Sequence, residues 1–200
     1  ILGCSLAILR ASANEKGIPL WKSIPGDWPV GVMPVPLMNI LNGGAHAATN
    51  VDVQEFMVVP YGFPDFTSAL RAGTETYHAL KNALEEKGLL SGIGDEGGFA
   101  PSLGRNEEGL ELLVEAIERA GYSSSTQIGI ALDVAATEFY DSGRYSFARK
   151  MIGGSELSSL YSSWIEKYPI VSIEDPFSED DWGSWISFTE KGHDLSLIHI

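Results

Sequence analysis

Ile128-Gly129-Ile130-Ala131-Leu132-Asp133 and Ile170-Val171-Ser172-Ile173-Glu174-Asp175 are two apolar runs that each close on an acid. Short runs of this kind read as buried strands. A single carboxylate after such a strand is equally well explained as a helix cap or half of a salt bridge. Two of them, 41 residues apart with one helical pattern between, predict neighbouring strands of a β/α barrel aiming acids at a common mouth. That mouth is where such folds place their chemistry. Carboxylates converging there suit a hard divalent cation, most naturally Mg²⁺.

Working outward, strands alternate with helical patterns, which predicts an α/β fold with a parallel sheet or barrel. Upstream, Leu37 to Leu41 and Glu55 to Val59 read as two further strands. Phe66, Ala69, Leu70, Gly73, Tyr77, Leu80 and Leu84 recur at helical spacing, with Asp65 as cap and Gly88 as stop. Leu110, Leu113, Val114 and Ile117 mark a second helix, with Asn106 as its expected cap. A hairpin excursion is predicted through Asp141-Ser142-Gly143. A helix capped by Ser155 and another over Asp180 to Lys191 follow. At the start, Leu2, Leu6, Leu9 and Ala13 share one helical face. Five prolines at 19, 25, 29, 34 and 36 then read as an extended linker and a domain boundary.

Composition narrows the function. The 200 residues are 44% hydrophobic, enough for a sizeable core, and carry a formal charge of −14. Only 13 lysines and arginines are scattered along the chain, so nucleic acid and anionic membrane surfaces are poor partners. If the substrate is itself an anion, metal or basic residues from elsewhere must reverse the local sign. The one cysteine, Cys4, allows no internal disulfide and suits a reducing cytoplasm. No run reaches the roughly 18 apolar residues of a membrane span. Ile1 to Leu9 lacks the basic leader of a signal peptide.

Four more clusters could carry chemistry. Asn42-Gly43-Gly44-Ala45-His46 lets backbone approach a ligand closely beside an imidazole, or is a turn with an incidental His. Gln54-Glu55-Phe56 places an acid before a buried run, which alone reads as a surface or cap residue. Gly94-Asp95-Glu96-Gly97-Gly98-Phe99-Ala100-Pro101 holds paired acids in a glycine frame, either a solvated loop or carboxyls held near a substrate. It is not a P-loop, because no Gly-Lys-Ser/Thr follows. In Ile173-Glu174-Asp175-Pro176-Phe177, the proline restricts the turn after the acid.

Taken in order with Pro34 to Leu41 and Ala131-Leu132-Asp133-Val134-Ala135, these stretches resemble the enolase family, from Ile1 to about Leu195. The resemblance implies an enolase-type β/α barrel preceded by an α+β capping domain. Residues 1–25 correspond to the capping domain's tail, 26–195 to the first part of the barrel, and 196–200 to an off-pattern tail with no strand ending in a metal acid.

The implied reaction is the glycolytic dehydration of 2-phosphoglycerate to phosphoenolpyruvate, with Mg²⁺ as cofactor. By the same resemblance, Asp133 and Glu174 are two of three metal ligands, and Glu174 also reaches the substrate. Glu96 is the general acid that protonates the departing hydroxide, Glu55 is its partner at the substrate hydroxyl, and His46 and Gln54 contact substrate. The family's lysine base, third metal carboxylate and phosphate-holding residues have no counterpart in this sequence. The expectation is therefore an active full-length homo-oligomer, dimeric or octameric. The 200 residues alone are expected to be inactive and, with an open strand edge beside Glu174, poorly soluble. Another carboxylate-processing enzyme of the superfamily is one alternative. A non-catalytic role on the cell surface or in a secreted pool is the other.

Overall fold

The two acid-ended runs are adjacent strands of one sheet. In this computed structural model, which describes residues 1–24, 33–44, 50–90, 92–94, 97–192 and 196–198, the strands are β1 (Met38–Asn42), β2 (Glu55–Val59) and β3 (Gly129–Asp133), then β4 (Tyr140–Asp141), β5 (Arg144–Phe147) and β6 (Lys150–Ile152), then β7 (Ile170–Glu174) and β8 (Ser196–Ile198). The main sheet runs β1-β2-β3-β7-β8, and β4-β5-β6 form a small separate sheet. The helices are α1 (Leu2–Glu15), α2 (Phe66–Glu86), α3 (Asn106–Arg119), α4 (Gly154–Lys167) and α5 (Trp182–Thr189). The chain divides into two units, Ile1–Met33 and Pro34–Ile200. The first holds α1 and a 3₁₀ turn at Leu20–Ser23; only Ala13 of α1 is buried. No described helix is long and apolar enough to cross a membrane.

The sheet is not purely parallel, as simple alternation predicts. β2 is antiparallel to both β1 and β3, whereas β3, β7 and β8 run parallel. Helix count explains this. One helix between strands returns the chain to its starting end, so the next strand is parallel. α4 does this between β3 and β7, and α5 between β7 and β8. Two helices, α2 and α3, separate β2 from β3, so the chain enters β3 from the end where β2 finished.

One face of the sheet packs on the helices. Phe56, Val58, Ile130, Leu132, Ile170 and Ile173 share a core with Leu80, Leu84, Leu110, Leu113, Leu157 and Trp164. Burying each such side chain contributes about 1.5–3 kcal/mol. The other face is smaller, with Met57, Val59 and Ala131 in a separate cluster against Val171. In β7 the register shifts because Val171 has no opposite number on β3. That extra residue resets the alternation, so Ile170 and Ile173 both join the helix-side core.

Local details confirm some sequence expectations and correct others. Asp65 caps α2, accepting from Ser68 N–H at 2.8 Å, and Gly88 ends it at φ +67°. The predicted hairpin exists, turning at Ser142 and Gly143, and a second turns at Ala148 and Arg149. All four residues have positive φ, as type I′ turns require. Asn106 is not a cap: it is the first residue of α3, after Arg105, and its amide bonds elsewhere. Nor does Ser155 cap α4. Gly153 holds that position, its N–H donating to Glu156 at 3.2 Å. Part of the tail is a strand, though not one ending in an acid. Ser196–Ile198 form β8, pairing with Ser172, Ile173 and Glu174, because β7 offers an unpaired ladder that a short apolar segment satisfies. The edge expected beside Glu174 is therefore covered.

Candidate active site

Strand register lines the acids up. Asn42 on β1 pairs with Glu55 on β2, Glu55 with Asp133 on β3, and Asp133 with Glu174 on β7. Two residues along the strands, Met57, Ala131 and Ser172 form the next row on the same face. Side chains alternate along a strand, so Glu55, Asp133 and Glu174 lie on the face of Met57 and Ala131, away from the helices. Neighbouring strands lie about 4.8 Å apart, which brings three carboxylates side by side at one end of the sheet. All three are half-buried.

This crowding has an electrostatic cost. Burial first, then the charges of Asp133 and Asp175, push the Glu174 carboxyl above the ordinary glutamate range. Asp133 is held in place: its Oδ1 accepts from Ala135 N–H at 3.0 Å and its Oδ2 from Gln54 Nε2 at 3.4 Å. The backbone beside both acids is strained. Ala135 has φ +49° and Asp175 has φ +42°, left-handed conformations that cost about 1–3 kcal/mol each outside glycine and that gather at functional sites. Two adjacent half-buried carboxylates whose repulsion a cation would relieve fit a hard divalent ion. Among the described residues, no group of three or more His, Cys, Asp or Glu is placed to hold a metal.

Glu96 and His46 lie outside the described residues, but the chain on either side of each is anchored at the same end of the sheet. Gly94 N–H donates to Gly98 O at 2.7 Å, Asn42 N–H to Phe99 O at 2.8 Å, and Phe99 N–H to Ile40 O at 2.9 Å. The described residues Gly98 and Phe99 that follow Glu96 are therefore tied to β1, near the acid row. Glycine is required at position 98, because a Cβ on Gly98 would sit 2.8 Å from Asn42 Oδ1. Before His46, Gly43 N–H donates to Gln54 O at 2.9 Å. A Cβ on Gly43 would lie 2.3 Å from Val53 O. Gly44, Asn50, Gln54, Val134, Ala135 and Arg149 line an open cleft of about 430 Å³, so Gln54 sits where a small ligand has room.

Sequence reasoning missed several residues here. Among the described residues, the Oδ1 atoms of Asn39 and Asn42 are buried without a hydrogen-bond partner, and both lie close to Gly98. Asn106 and Asp52 form a partly buried cross-link beside Gln54. Asn106 was hidden because an Asn before a helical pattern reads as a cap, and a lone Asp in a loop carries no signal.

The family model described as the C-terminal TIM barrel domain of enolase matches residues 30–198. The enolase of Beutenbergia cavernae is 52% identical over 199 residues, which cover 99% of this chain and 46% of that protein. The chain thus spans about half the length of this curated relative.

Proposed function

The chain belongs to the enolase family, and on that premise we propose that the full-length protein converts 2-phosphoglycerate to phosphoenolpyruvate, the glycolytic lyase step. The observation that carries this reading is the single row of Glu55, Asp133 and Glu174 across three strands.

The difficulty of the reaction lies in taking a proton from a carbon beside a carboxylate and expelling hydroxide. Asp133 and Glu174 would hold Mg²⁺, which when bound supplies positive charge to offset the charge developing on the substrate carboxylate. Asp133 is suited to this because Ala135 N–H and Gln54 fix its two oxygens in different directions. Glu96 donates the proton that lets the hydroxide leave, and Glu55, at the start of β2, faces the same hydroxyl. Gln54 and His46 contact the substrate. The proton-abstracting lysine and a third metal carboxylate belong to parts of the site outside these 200 residues. A polypeptide of these 200 residues alone is therefore proposed to be inactive. Cytoplasmic location and a homo-oligomeric state follow the family likeness.

The test is an assay of the full-length protein with 2-phosphoglycerate and Mg²⁺, following phosphoenolpyruvate. Formation of product, lost by at least about a hundredfold in Asp133→Asn and Glu174→Gln, supports the proposal. A full-length protein that leaves 2-phosphoglycerate untouched refutes it. Product from the 200-residue polypeptide alone refutes the claim of inactivity.

A further inference from the structure

The chain entering Gln54-Glu55 is held by a side chain as well as by backbone bonds. Residues 51–54 belong to no strand, yet Val51 and Val53 are buried, and buried backbone donors need acceptors. Asp52 N–H and Val53 N–H both donate to one atom, Asn106 Oδ1, at 2.8 and 3.1 Å. The same amide's Nδ2 donates to Asp52 Oδ2 at 2.8 Å. That oxygen also accepts from Ala148 N–H at 3.0 Å, in the β5–β6 turn. Asn106 is only 2% exposed and opens α3, whose other end is built into the helix-side core. On the opposite side, Gly43 closes against Val53 O. Immediately beyond the clamp, Gln54 N–H donates to Asp133 O at 3.0 Å, and Glu55 begins the acid row.

We infer that Asn106 is a positioning residue for Gln54 and Glu55. It fixes the backbone of Asp52 and Val53 against a rigid helix, and so sets where the next two side chains enter the site. It touches no reacting atom and acts through this segment. The inference rests on the functional reading of Gln54 and Glu55 given above. Its physical basis is that a displacement of about 1 Å in a reacting group can cost about a hundredfold in rate.

The test uses the full-length enzyme, measuring kcat and KM for 2-phosphoglycerate together with the thermal melt. Asn106→Ala removes all three bonds and should lower kcat by about tenfold to a hundredfold. Asn106→Asp keeps the acceptor for both amides but faces Asp52 with a second carboxylate, and should also lose kcat. The double variant Asp52→Asn/Asn106→Asp restores a donor facing an acceptor between the two side chains, at the loss of the bond from Ala148 N–H, and should recover part of it. That rescue is the signature of positioning. If Asn106→Ala and Asn106→Asp keep kcat within about twofold of the parent while melting earlier, the residue only stabilises and the inference is overturned. If Asn106→Ala does not fold, the Asp variants decide: a double variant no faster than Asn106→Asp overturns it. A parent enzyme that forms no phosphoenolpyruvate refutes the functional reading, and this inference with it. An active parent with insensitive Asn106 variants refutes the inference alone.

Discussion

Glu174→Gln should make the metal-free full-length protein more stable at neutral pH. Glu174 stands beside Asp133 in the same row, and burial, then Asp133, then Asp175 raise its pKa. Two unit charges about 5 Å apart repel by roughly 1 kcal/mol in water and roughly 3 kcal/mol at an effective dielectric constant near 20. The pair is only half-buried and solvent still screens it, so about 1 kcal/mol is the fitting figure. The folded state holds this proton more tightly than the unfolded chain does. The contribution of Glu174 to wild-type stability is therefore fully present below the ordinary glutamate range and is lost as pH rises through the raised value. The glutamine variant lacks that fall. Urea titrations in EDTA should show equal stability near pH 4 and an advantage of about 1 kcal/mol to the variant near pH 7. Mg²⁺ should reverse the order, since a ligand at a hundred times its Kd stabilises by about 2.7 kcal/mol and the variant has lost a donor. A variant less stable than wild type near pH 7 in EDTA, or one with the same pH slope, refutes the reasoning.

Two other substitutions probe the frame around the site. Gly43→Ala puts a Cβ 2.3 Å from Val53 O, a backbone atom with no rotamer to escape into. It should cost about 1–3 kcal/mol and reduce kcat as the Gln54 segment shifts; a normal melt and normal kcat would contradict the packing argument. Tyr145 Oη donates to Asp181 Oδ2 at 2.7 Å and accepts from Ser178 N–H at 3.1 Å. Tyr145→Phe should therefore cost about 1–3 kcal/mol by leaving a buried donor unmet, and a loss below about 0.5 kcal/mol in urea titration would show that water replaces it.

The parts of the fold that sequence revealed are those written in short-range patterns. Leu80 and Leu84 lie on one stripe of α2 and Asp65 ends it, so the helix is legible in its own residues. The apolar runs to Asp133 and Glu174 announced strands because burial on both faces leaves no alternation to confuse. The direction of β2 was not legible, since it depends on how many helices separate strands, a property of the whole chain. Neither was the role of Asn106, whose partners lie more than 50 residues away in sequence. The pairing of Ser196–Ile198 escaped notice because three residues carry no period. It is the ladder of β7, not their own propensity, that makes them a strand.

The central claim is that Asp133 and Glu174 grip one ion together. Calorimetric titration of Mg²⁺ into the full-length protein, into Asp133→Asn, into Glu174→Gln and into the double variant tests it directly. The prediction is that each single variant loses at least about tenfold in affinity, or 1.4 kcal/mol, and that the double variant binds little worse than either, because the shared site is already broken. Full affinity in either single variant, or losses that simply add, would mean that the two carboxylates do not share a cation.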